Sequence, residues 1–281
     1  MHPCAMVAEV TTFSYAHRSV DPRIGCRKLW YMYRRDVGCI SRRVFEDILA
    51  ANGLMLRTPR RRTRTTDSTH ELPVYPNLVY AVIPERPCQI WVADITYIRL
   101  ANADGSTRFC YMSIIMDAYS RYILGYYVGR TLESIHSVVA LNIALDRSQR
   151  LGLDIKGLIH HSDRGVQYAC EEYVNILKSN NILISMTENG NPTDNPQAER
   201  INSTVKNELL HGLTFSCLKD VIESLPQRIE YYNTQRPHMS LDNLTPYQAL
   251  ALTGKIKKKW RSYRDEAIEN GNSDSQHNFV L

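Results

Sequence analysis

Residues 90–100 read IWVADITYIRL, an apolar run of β-branched and aromatic side chains that one acidic residue interrupts. Two similar runs follow at residues 109–117 and 122–129. The polar residues 103–106 (ADGS) suit a turn between the first two runs, and residues 118–121 connect the second run to the third. Three such runs joined by short turns predict an antiparallel meander.

After the meander, helical and extended patterns alternate along the chain. We expect helices over residues 132–145, 171–179 and 196–211, and short strands over residues 157–162 and 182–186. The last helix has a well-marked start, because Asn195 can cap it and Pro196 suits its first position. This order predicts an α/β fold with a mixed five-stranded sheet, three antiparallel strands then two more, and helices on both faces.

Residues 23–53 read as two helices around a turn. Gly38 breaks the helical pattern, and Ser41 is a good N-cap for the second helix. Arg42 and Arg43 then lie in the exposed first turn of that helix. A helix–turn–helix places its second helix in the DNA major groove with the N-terminal residues toward the bases. The pattern therefore favours DNA contact, while an ordinary helical hairpin is the other interpretation.

The net charge of +5 is unevenly distributed. Residues 1–70 carry 13 Lys and Arg against 6 Asp and Glu, whereas the rest of the chain carries 21 against 23. The basic side chains concentrate in two runs, Arg57, Arg60, Arg61, Arg62 and Arg64 in the first and Lys255, Lys257, Lys258, Lys259, Arg261 and Arg264 in the second. Dense like charge repels itself and is typical of segments that bind nucleic acid. The alternative is a solvated linker and a solvated tail.

Length and composition exclude several classes of protein. At roughly 100–200 residues per domain, 281 residues make one large domain or a few small ones. No stretch approaches the roughly 18 unbroken apolar residues of a membrane span, and residues 1–10 do not resemble a secretory signal. The seven cysteines are scattered, without the paired spacing that a zinc site needs. We therefore expect a cytoplasmic protein with reduced thiols and no membrane association.

Three carboxylates are predicted to lie at the ends of elements or inside them. Asp94 interrupts the first strand, Asp163 follows the fourth strand, and Glu199 lies near the start of the last core helix. A charge in an apolar strand is costly unless it is paired or binds a cation. Oxygen ligands so placed suit two Mg²⁺ ions that act on a phosphodiester. Other acidic residues compete for these roles: Asp104, Asp117, Glu188, Asp194 and Glu208.

The spacing of the carboxylates and their neighbours carries a family resemblance. Thirty-five residues separate Asp163 from Glu199. The surrounding motifs are Trp91-x-x-Asp94-x-Thr96-Tyr97-Ile98, Met116-Asp117-Ala118-Tyr119-Ser120-Arg121, His161-Ser162-Asp163-Arg164-Gly165-x-Gln167-Tyr168, Asp194-Asn195-x-x-Ala198-Glu199-Arg200 and Tyr232-Asn233-x-x-Arg236-Pro237-His238-x-x-Leu241. From about residue 24 to residue 250, the chain resembles the DDE transposase and retroviral-integrase superfamily in its Asp, Asp-35-Glu form. More narrowly, it resembles the OrfB-type catalytic protein of the insertion-sequence-three family.

The resemblance implies an RNase H-like core preceded by a small helix–turn–helix. The implied activity is Mg²⁺-dependent DNA cleavage and strand transfer that moves an insertion sequence through a circular copied intermediate. Asp94, Asp163 and Glu199 would hold two Mg²⁺ ions, for which Mn²⁺ would substitute. Two alternatives stay open: an RNase H-like nuclease that does not join strands, and a non-catalytic DNA-binding regulator of transposition.

The implied partners are the DNA ends of the element, target DNA, an upstream OrfA protein joined by fusion or association, and further copies of the chain in a homodimer or higher assembly. The expected place of action is the bacterial cytoplasm, at the nucleoid when DNA is bound. DNA contacts are expected from Lys206, Arg200, Arg42, Arg43, Arg60, Arg61, Arg62 and Arg64.

His160 and His161 are neighbours in the fourth predicted strand. Successive strand residues point to opposite faces of a sheet. We therefore expect one of the two histidines to pack in the core and the other to lie at the edge of the site.

We expect five regions: an N-terminal segment of uncertain structure (1–22), a helix–turn–helix-like DNA-binding subdomain (23–56), a basic linker (57–82), an RNase H-like catalytic core with its C-terminal helices (83–250) and a basic then polar tail (251–281). Pro226 departs from a regular helical pattern. We expect it to kink or split the helical run over residues 221–232.

Overall fold

The computed structural model describes residues 3–56, 73–188, 195–263 and 265–270. All five arginines of the first basic run (57, 60, 61, 62 and 64), Arg264 of the second run and Asp194 lie outside these ranges. None of the helices in these ranges combines the length and the apolar character that a membrane span needs.

The described chain contains nine α-helices with defined bounds, a further helical stretch over residues 265–270, and five strands. The helices are α1 Pro3–Arg18, α2 Cys26–Asp36, α3 Arg42–Ala51, α4 Ser134–Arg150, α5 Val166–Ala169, α6 Glu171–Ser179, α7 Pro196–Thr204, α8 Leu218–Thr234 and α9 Pro246–Ala249. The strands are β1 Ile90–Ala101, β2 Thr107–Asp117, β3 Ile123–Gly129, β4 Ile159–Ser162 and β5 Leu183–Met186. A π-helical segment, Val205–Leu209, continues α7, and a short 3₁₀ turn occupies Met239–Leu241.

The five strands form one mixed sheet in the order β3-β2-β1-β4-β5. The meander β1-β2-β3 is antiparallel, with Asp94 opposite Ile114. Strand β4 pairs in parallel with β1, with His160 opposite Trp91, and β5 pairs in parallel with β4. The predicted sheet of three antiparallel strands and two more is confirmed. Because β1 is the central strand, Asp94 lies in the middle of the sheet.

Helices cover both faces of the sheet, and successive strand residues supply the two cores. Val92 packs in one core with Ile201 of α7 and Leu225 of α8. Trp91, its neighbour in β1, packs in the other core with residues of α4 and α6. This alternation follows from the period of two residues in a strand.

Gly125 permits close packing of β3 against α4. A Cβ at this position would lie only 2.2 Å from the carbonyl oxygen of Ala140 and 2.9 Å from the Cβ of Ala144. A larger residue would push the helix away from the sheet and open the core between them.

The N-terminal helices α1, α2 and α3 form a separate small core that includes Leu29 and Phe45 and is completed by Tyr231 of α8. The predicted cap is present, since the Ser41 hydroxyl accepts a hydrogen bond of 3.3 Å from the Val44 backbone N–H. Helix α1 falls in the segment 1–22, whose structure the sequence left uncertain. Its good helix formers, such as Ala5 and Glu9, are interrupted by the poorer ones Val10, Thr11 and Thr12, and the helix packs against α2 and α3.

Two helices differ from the expectation. The helix expected over residues 196–211 is α-helical only to Thr204 and then widens into the π-helical segment. Pro226 does not split α8, which runs from Leu218 to Thr234. Pro226 is exposed, and Ile222, whose carbonyl loses its intrahelical partner, is 47% exposed. Water can therefore bind that carbonyl, and the helix continues.

Candidate active site

Asp94 lies half-buried in the central strand with both carboxylate oxygens engaged. Its Oδ1 accepts a hydrogen bond of 2.8 Å from the Ile95 backbone N–H. Its Oδ2 accepts one of 2.8 Å from the Nδ2 of Asn202, on α7. The carboxylate is therefore held between its own strand and the helix that carries Glu199.

Two other carboxylates act on Asp94. Burial, and next the negative charge of Asp163, raise the pKa of Asp94 to about 7. The charge of Glu199 raises the pKa further, while the hydrogen bonds from Ile95 and Asn202 lower it. The structure thus brings Asp94, Asp163 and Glu199 into one electrostatic neighbourhood, although they come from three separate elements.

Asp163 comes directly after β4 and is oriented by the loop that follows. Its Oδ1 accepts a hydrogen bond of 3.0 Å from the Gly165 backbone N–H. A Cβ on Gly165 would lie 3.0 Å from that same oxygen and 2.9 Å from Oε1 of Gln167. The absence of a side chain at Gly165 therefore lets the loop close around the carboxylate.

Glu199 lies in the first turn of α7, and Asn195 determines where that turn sits. The Asn195 side chain makes no capping hydrogen bond. Its Nδ2 donates instead to the carbonyl oxygen of Ala93 over 3.1 Å, and its own carbonyl accepts from the Glu199 N–H. Asn195 is therefore the N-cap residue of α7, as expected, but its side chain does not supply the capping hydrogen bond. The Nδ2 bond to Ala93 orients the buried amide toward β1, and its Oδ1, the atom that would cap the helix, has no hydrogen-bond partner in the described part of the chain.

Most competing acidic residues have other partners. Glu208 pairs with Arg236 and Arg200. Asp104 lies exposed in the β1–β2 turn, where it accepts from Ser106. Asp117 is fully buried and accepts hydrogen bonds from backbone N–H groups at two places in the chain. These contacts are those of structural residues.

The two neighbouring histidines belong to the core. His160 and His161 are each 1% exposed. The Nε2 of His160 lies 2.8 Å from the Tyr173 hydroxyl, and the Nδ1 of His161 lies 2.9 Å from the Ser185 hydroxyl. Burial, and then His161, lower the pKa of His160 to about 3. His160 is therefore neutral at physiological pH, and the expectation that one histidine lies at the edge of the site was wrong.

The carboxylate and amide oxygens of Asp94, Asp163, Glu199 and Asn202 are the kind of ligand that a divalent cation prefers. Within the described ranges, no group of three or more His, Cys, Asp or Glu side chains is arranged to hold a metal ion. The mutual repulsion that raises the pKa of Asp94 is nevertheless the kind that a bound cation relieves. The Oδ1 of Asn202, beside Asp94, is buried without a hydrogen-bond partner in the described part of the chain. Hard oxygen ligands of this kind suit Mg²⁺.

The residues expected to contact DNA lie in different environments. The Lys206 ammonium sits 3.7 Å from the centre of the Tyr97 ring, in a cation–π contact beside β1. Arg200 is 71% exposed and pairs with Glu208. Arg42, at the start of α3, pairs with Glu46.

Arg43 is exposed next to Arg42, and the arginines at 60, 61, 62 and 64 lie outside the described residues. The second basic run is largely neutralised by acidic neighbours. Its ion pairs are Lys255–Glu269, Lys258–Asp265, Lys259–Asp242 and Arg261–Glu266.

Asn195 and Asn202 were not among the expected site residues, yet both connect α7 to β1. Asn202 lies three residues after Glu199 and so on the same side of the helix. This spacing was the available signal for its role. Nothing in the local sequence indicates that Asn195 would bond to β1 instead of to its own helix.

Comparison with known proteins gives consistent matches along the chain. Two family models, both described as an integrase core domain, match residues 84–192 and 180–246. The insertion element IS600 uncharacterized 31 kDa protein of Shigella sonnei is 38% identical over 195 residues, which cover 69% of this chain and 68% of that protein.

A putative transposase for insertion sequence element IS986/IS6110 of Mycobacterium tuberculosis is 30% identical over 227 residues, covering 80% of each chain. Transposase InsF for insertion sequence IS3A of Escherichia coli is 30% identical over 205 residues, covering 71% of this chain and 67% of that one.

Among solved structures, the HTLV-2 integrase catalytic core domain in complex with magnesium aligns with a TM-score of 0.44 at 17% identity. The alignment covers 59% of this chain and 99% of that one. This superposition is too loose to add to the sequence matches.

Proposed function

The chain belongs to the insertion-sequence-three family of DDE transposases, polynucleotidyl transferases whose integrase core carries out DNA transposition, and from this premise we propose which of its residues perform the reaction. Asp94, Asp163 and Glu199 are the catalytic carboxylates. The observation that carries this assignment is the raised pKa of Asp94, to which both Asp163 and Glu199 contribute.

The three carboxylates hold two Mg²⁺ ions, and Mn²⁺ substitutes for them. When bound, such ions lower the pKa of an attacking hydroxyl and stabilise the leaving oxygen of a phosphodiester. The integrase-core family models and the all-oxygen donor set support this choice of metal.

The remaining site residues position these carboxylates. Asn202 orients Asp94 through its hydrogen bond to Oδ2, and Asn195 anchors the start of α7 to β1. The Gly165 N–H orients the carboxylate of Asp163. Because the carboxylates of Asp94 and Asp163 are each held by a neighbouring amide, these two side chains need little reorganisation when substrate binds.

DNA is held by basic residues on two sides of the site. Lys206 lies seven residues after Glu199, about two turns along the helix, where it can contact a phosphate near the scissile bond. Arg200 adds a second contact on the exposed side of α7. Outside the core, the contacts come from Arg42 and Arg43 of α3 and from the linker arginines Arg60, Arg61, Arg62 and Arg64.

The proposed domain organisation follows from these roles. A DNA-binding unit over residues 23–56, against which α1 of the 1–22 segment packs, precedes a basic linker over 57–82. The catalytic core with its C-terminal helices spans 83–250, and a basic then polar tail follows over 251–281. The shared core of α1, α2 and α3 supports treating the first two regions as one folded unit.

The chain acts on DNA as a homodimer or higher assembly and works with an upstream OrfA protein, by fusion or association. Two DNA ends have to be processed together for strand transfer, which favours more than one catalytic core per complex. Its place of action is the bacterial cytoplasm, at the nucleoid, where such DNA is found.

The test uses the purified full chain and a duplex taken from one end of the encoding element, in Mg²⁺ or in EDTA. Joined DNA products that require Mg²⁺ are the expected result. Free ends without joining would identify a nuclease instead. DNA binding with no product in either buffer, with or without OrfA, would identify a non-catalytic regulator.

A further inference from the structure

Arg236 is a buried cation that the catalytic site does not use. It follows α8 and is 2% exposed. Its Nε donates to the Oδ2 of Asp21 over 2.9 Å, and its Nη2 donates to the Oε2 of Glu208. Asp21 is fully buried and Glu208 is 21% exposed. Asp21, Arg236 and Glu208 are called the Arg236 cluster below.

The cluster joins three parts of the molecule. Asp21 lies between α1 and α2, in the N-terminal unit. Glu208 lies in the π-helical segment that continues α7, the helix of Glu199. One guanidinium group therefore bonds directly to the proposed DNA-binding unit and to the proposed catalytic helix.

Further contacts hold the N-terminal unit against the same region. His17 of α1 lies 3.0 Å from the hydroxyl of Tyr231, and Tyr231 packs in the core of the N-terminal helices. Lys28 of α2 also interacts with the cluster. Burial, and next the positive charge of Arg236, hold the pKa of Lys28 well below its usual value, while the charges of Glu208 and Asp21 raise it. The N-terminal unit is thus coupled to the core through polar and charged groups as well as through apolar packing.

The segment that Glu208 occupies is conformationally unusual. A π-helical turn inside an α-helix contains an extra residue, costs hydrogen-bond geometry and occurs frequently at functional sites. Here the π-helical segment begins directly after α7, and Glu208 lies within it. An ion pair anchored at this point can change how α7 is held relative to β1.

A buried charge cluster is a poor device for stability alone. Replacing such a cluster with apolar residues of similar volume is often neutral or stabilising, whereas removing one member leaves an uncompensated charge. A charge cluster that connects the N-terminal unit to the catalytic helix is suited instead to coupling the two, so that a change in the position of one alters the position of the other.

We propose that Arg236 is a positioning residue, which through Asp21 and Glu208 transmits DNA binding by the N-terminal unit to the helix that carries Glu199. This inference rests on the proposed function, since it takes α2 and α3 as the DNA-binding helices and Glu199 as catalytic. Arg236 acts through Glu208 and does not touch the reacting atoms.

The test compares hydrogen–deuterium exchange of α7 and its π-helical segment with and without a duplex from the end of the encoding element. In the wild-type chain, DNA should slow exchange both in α2–α3 and in residues 196–209. In Asp21→Asn, the slowing in α2–α3 should persist while the slowing in 196–209 falls by at least about fivefold, the lower range of allosteric coupling. Asp21→Asn should also lower kcat for strand transfer more than it raises KM for DNA.

A second variant guards against misfolding. The triple variant Asp21→Asn, Arg236→Met, Glu208→Gln removes all three charges of the Arg236 cluster together, so that neither Arg236 nor a cluster carboxylate is left unpaired. Lys28 is the basic group that remains beside the cluster, and its pKa is already held well below the usual value, chiefly by burial. It should fold and bind DNA yet lose the DNA-dependent slowing in 196–209. The matched control is Lys219→Gln with Glu223→Gln, an exposed ion pair on α8, which should behave as wild type.

Two results would overturn the inference, and they can be told apart. If the triple variant keeps the wild-type slowing in 196–209 and the wild-type kcat, Arg236 has a structural role only, and the proposed function stands. If DNA does not slow exchange in α2–α3 of the wild-type chain, those helices do not bind DNA. That part of the proposed function then fails, and the inference fails with it.

Discussion

Asn202 of α7 donates a hydrogen bond of 2.8 Å to the Oδ2 of Asp94, in the middle of the central strand. Asn202 is also three residues from Glu199, on the same side of its helix. This amide therefore joins the helix that carries Glu199 directly to the carboxylate of Asp94, in addition to the Asn195 bond that anchors the start of the same helix to β1.

Replacing Asn202 with Ala should lower strand transfer by about 10- to 100-fold, the usual effect of losing a residue that orients a metal ligand. Binding of the terminal duplex should stay within a few-fold. The control is Asn207→Ala on the same stretch of chain, because Asn207 is exposed and bonds only to Ser203 among the described contacts. Equal activity of the two variants would contradict a positioning role for Asn202.

Stability of the metal-free chain should depend on the ionisation of Asp94. Its pKa of about 7 in the folded chain is above the ordinary value of 3.8. The protonated form therefore stabilises the fold below about pH 4, and this contribution is lost as the pH rises through 7. Asp94→Asn does not titrate, so in EDTA it should become more stable than wild type between pH 5 and pH 8.

This difference should be on the order of 1–2 kcal/mol after allowance for the exposed part of the side chain. Urea unfolding of both proteins at several pH values measures it. Added Mg²⁺ should reduce it, since a cation stabilises the ionised carboxylate. Parallel stability curves for the two proteins would mean that folding does not raise the pKa of Asp94.

Asp163→Asn should abolish both cleavage and strand transfer, because it removes the charge of one metal-ligating oxygen. DNA binding should change by no more than a few-fold, since the phosphate contacts lie elsewhere. Product gels with the terminal duplex check the first expectation, and fluorescence anisotropy checks the second. Mg²⁺-dependent cleavage near the wild-type rate would exclude Asp163 as a ligand.

Glu199→Gln should eliminate strand transfer, whereas Glu208→Gln should leave at least roughly a tenth of it. The charge of Glu199 acts on Asp94, while Glu208 pairs with Arg236 and Arg200. A glutamine at 208 can still accept a hydrogen bond from Arg236. Strand-transfer rates of the two variants, measured under the same conditions, show which glutamate is catalytic. Higher activity in Glu199→Gln than in Glu208→Gln would assign the catalytic role to Glu208.

Replacing Arg60, Arg61, Arg62 and Arg64 together with Gln should weaken binding to any duplex. It should also flatten the dependence of affinity on salt, by about 0.9 in the log–log slope for each DNA phosphate that the variant no longer neutralises. Titrations at several salt concentrations give this slope. A slope equal to that of the wild type would identify the run as a linker that does not bind DNA.

The local pattern of side chains was sufficient to predict most of the core elements. The β-branched runs at residues 90–100 and 109–117 correspond to β1 and β2, and Ser41 caps α3 as expected. These features depend on neighbours within one turn or one strand, so they can be read along the chain. Helix α1 was not predicted, because Val10, Thr11 and Thr12 interrupt its helix formers and its packing against α2 and α3 cannot be read along the chain.

What the sequence by itself determined is the family and the order of the core strands and helices, since both are contained in residue types and their spacing. The same spacing nominated Asp94, Asp163 and Glu199 as the proposed catalytic carboxylates. Only the tertiary structure decided how the site is held. Asn202 meets Asp94 across 108 residues of sequence, and Arg236 meets Asp21 across 215. The pKa of Asp94 likewise depends on burial and on charges from other elements. Local propensity carries no information about such pairings, because they form only when the sheet and helices pack together.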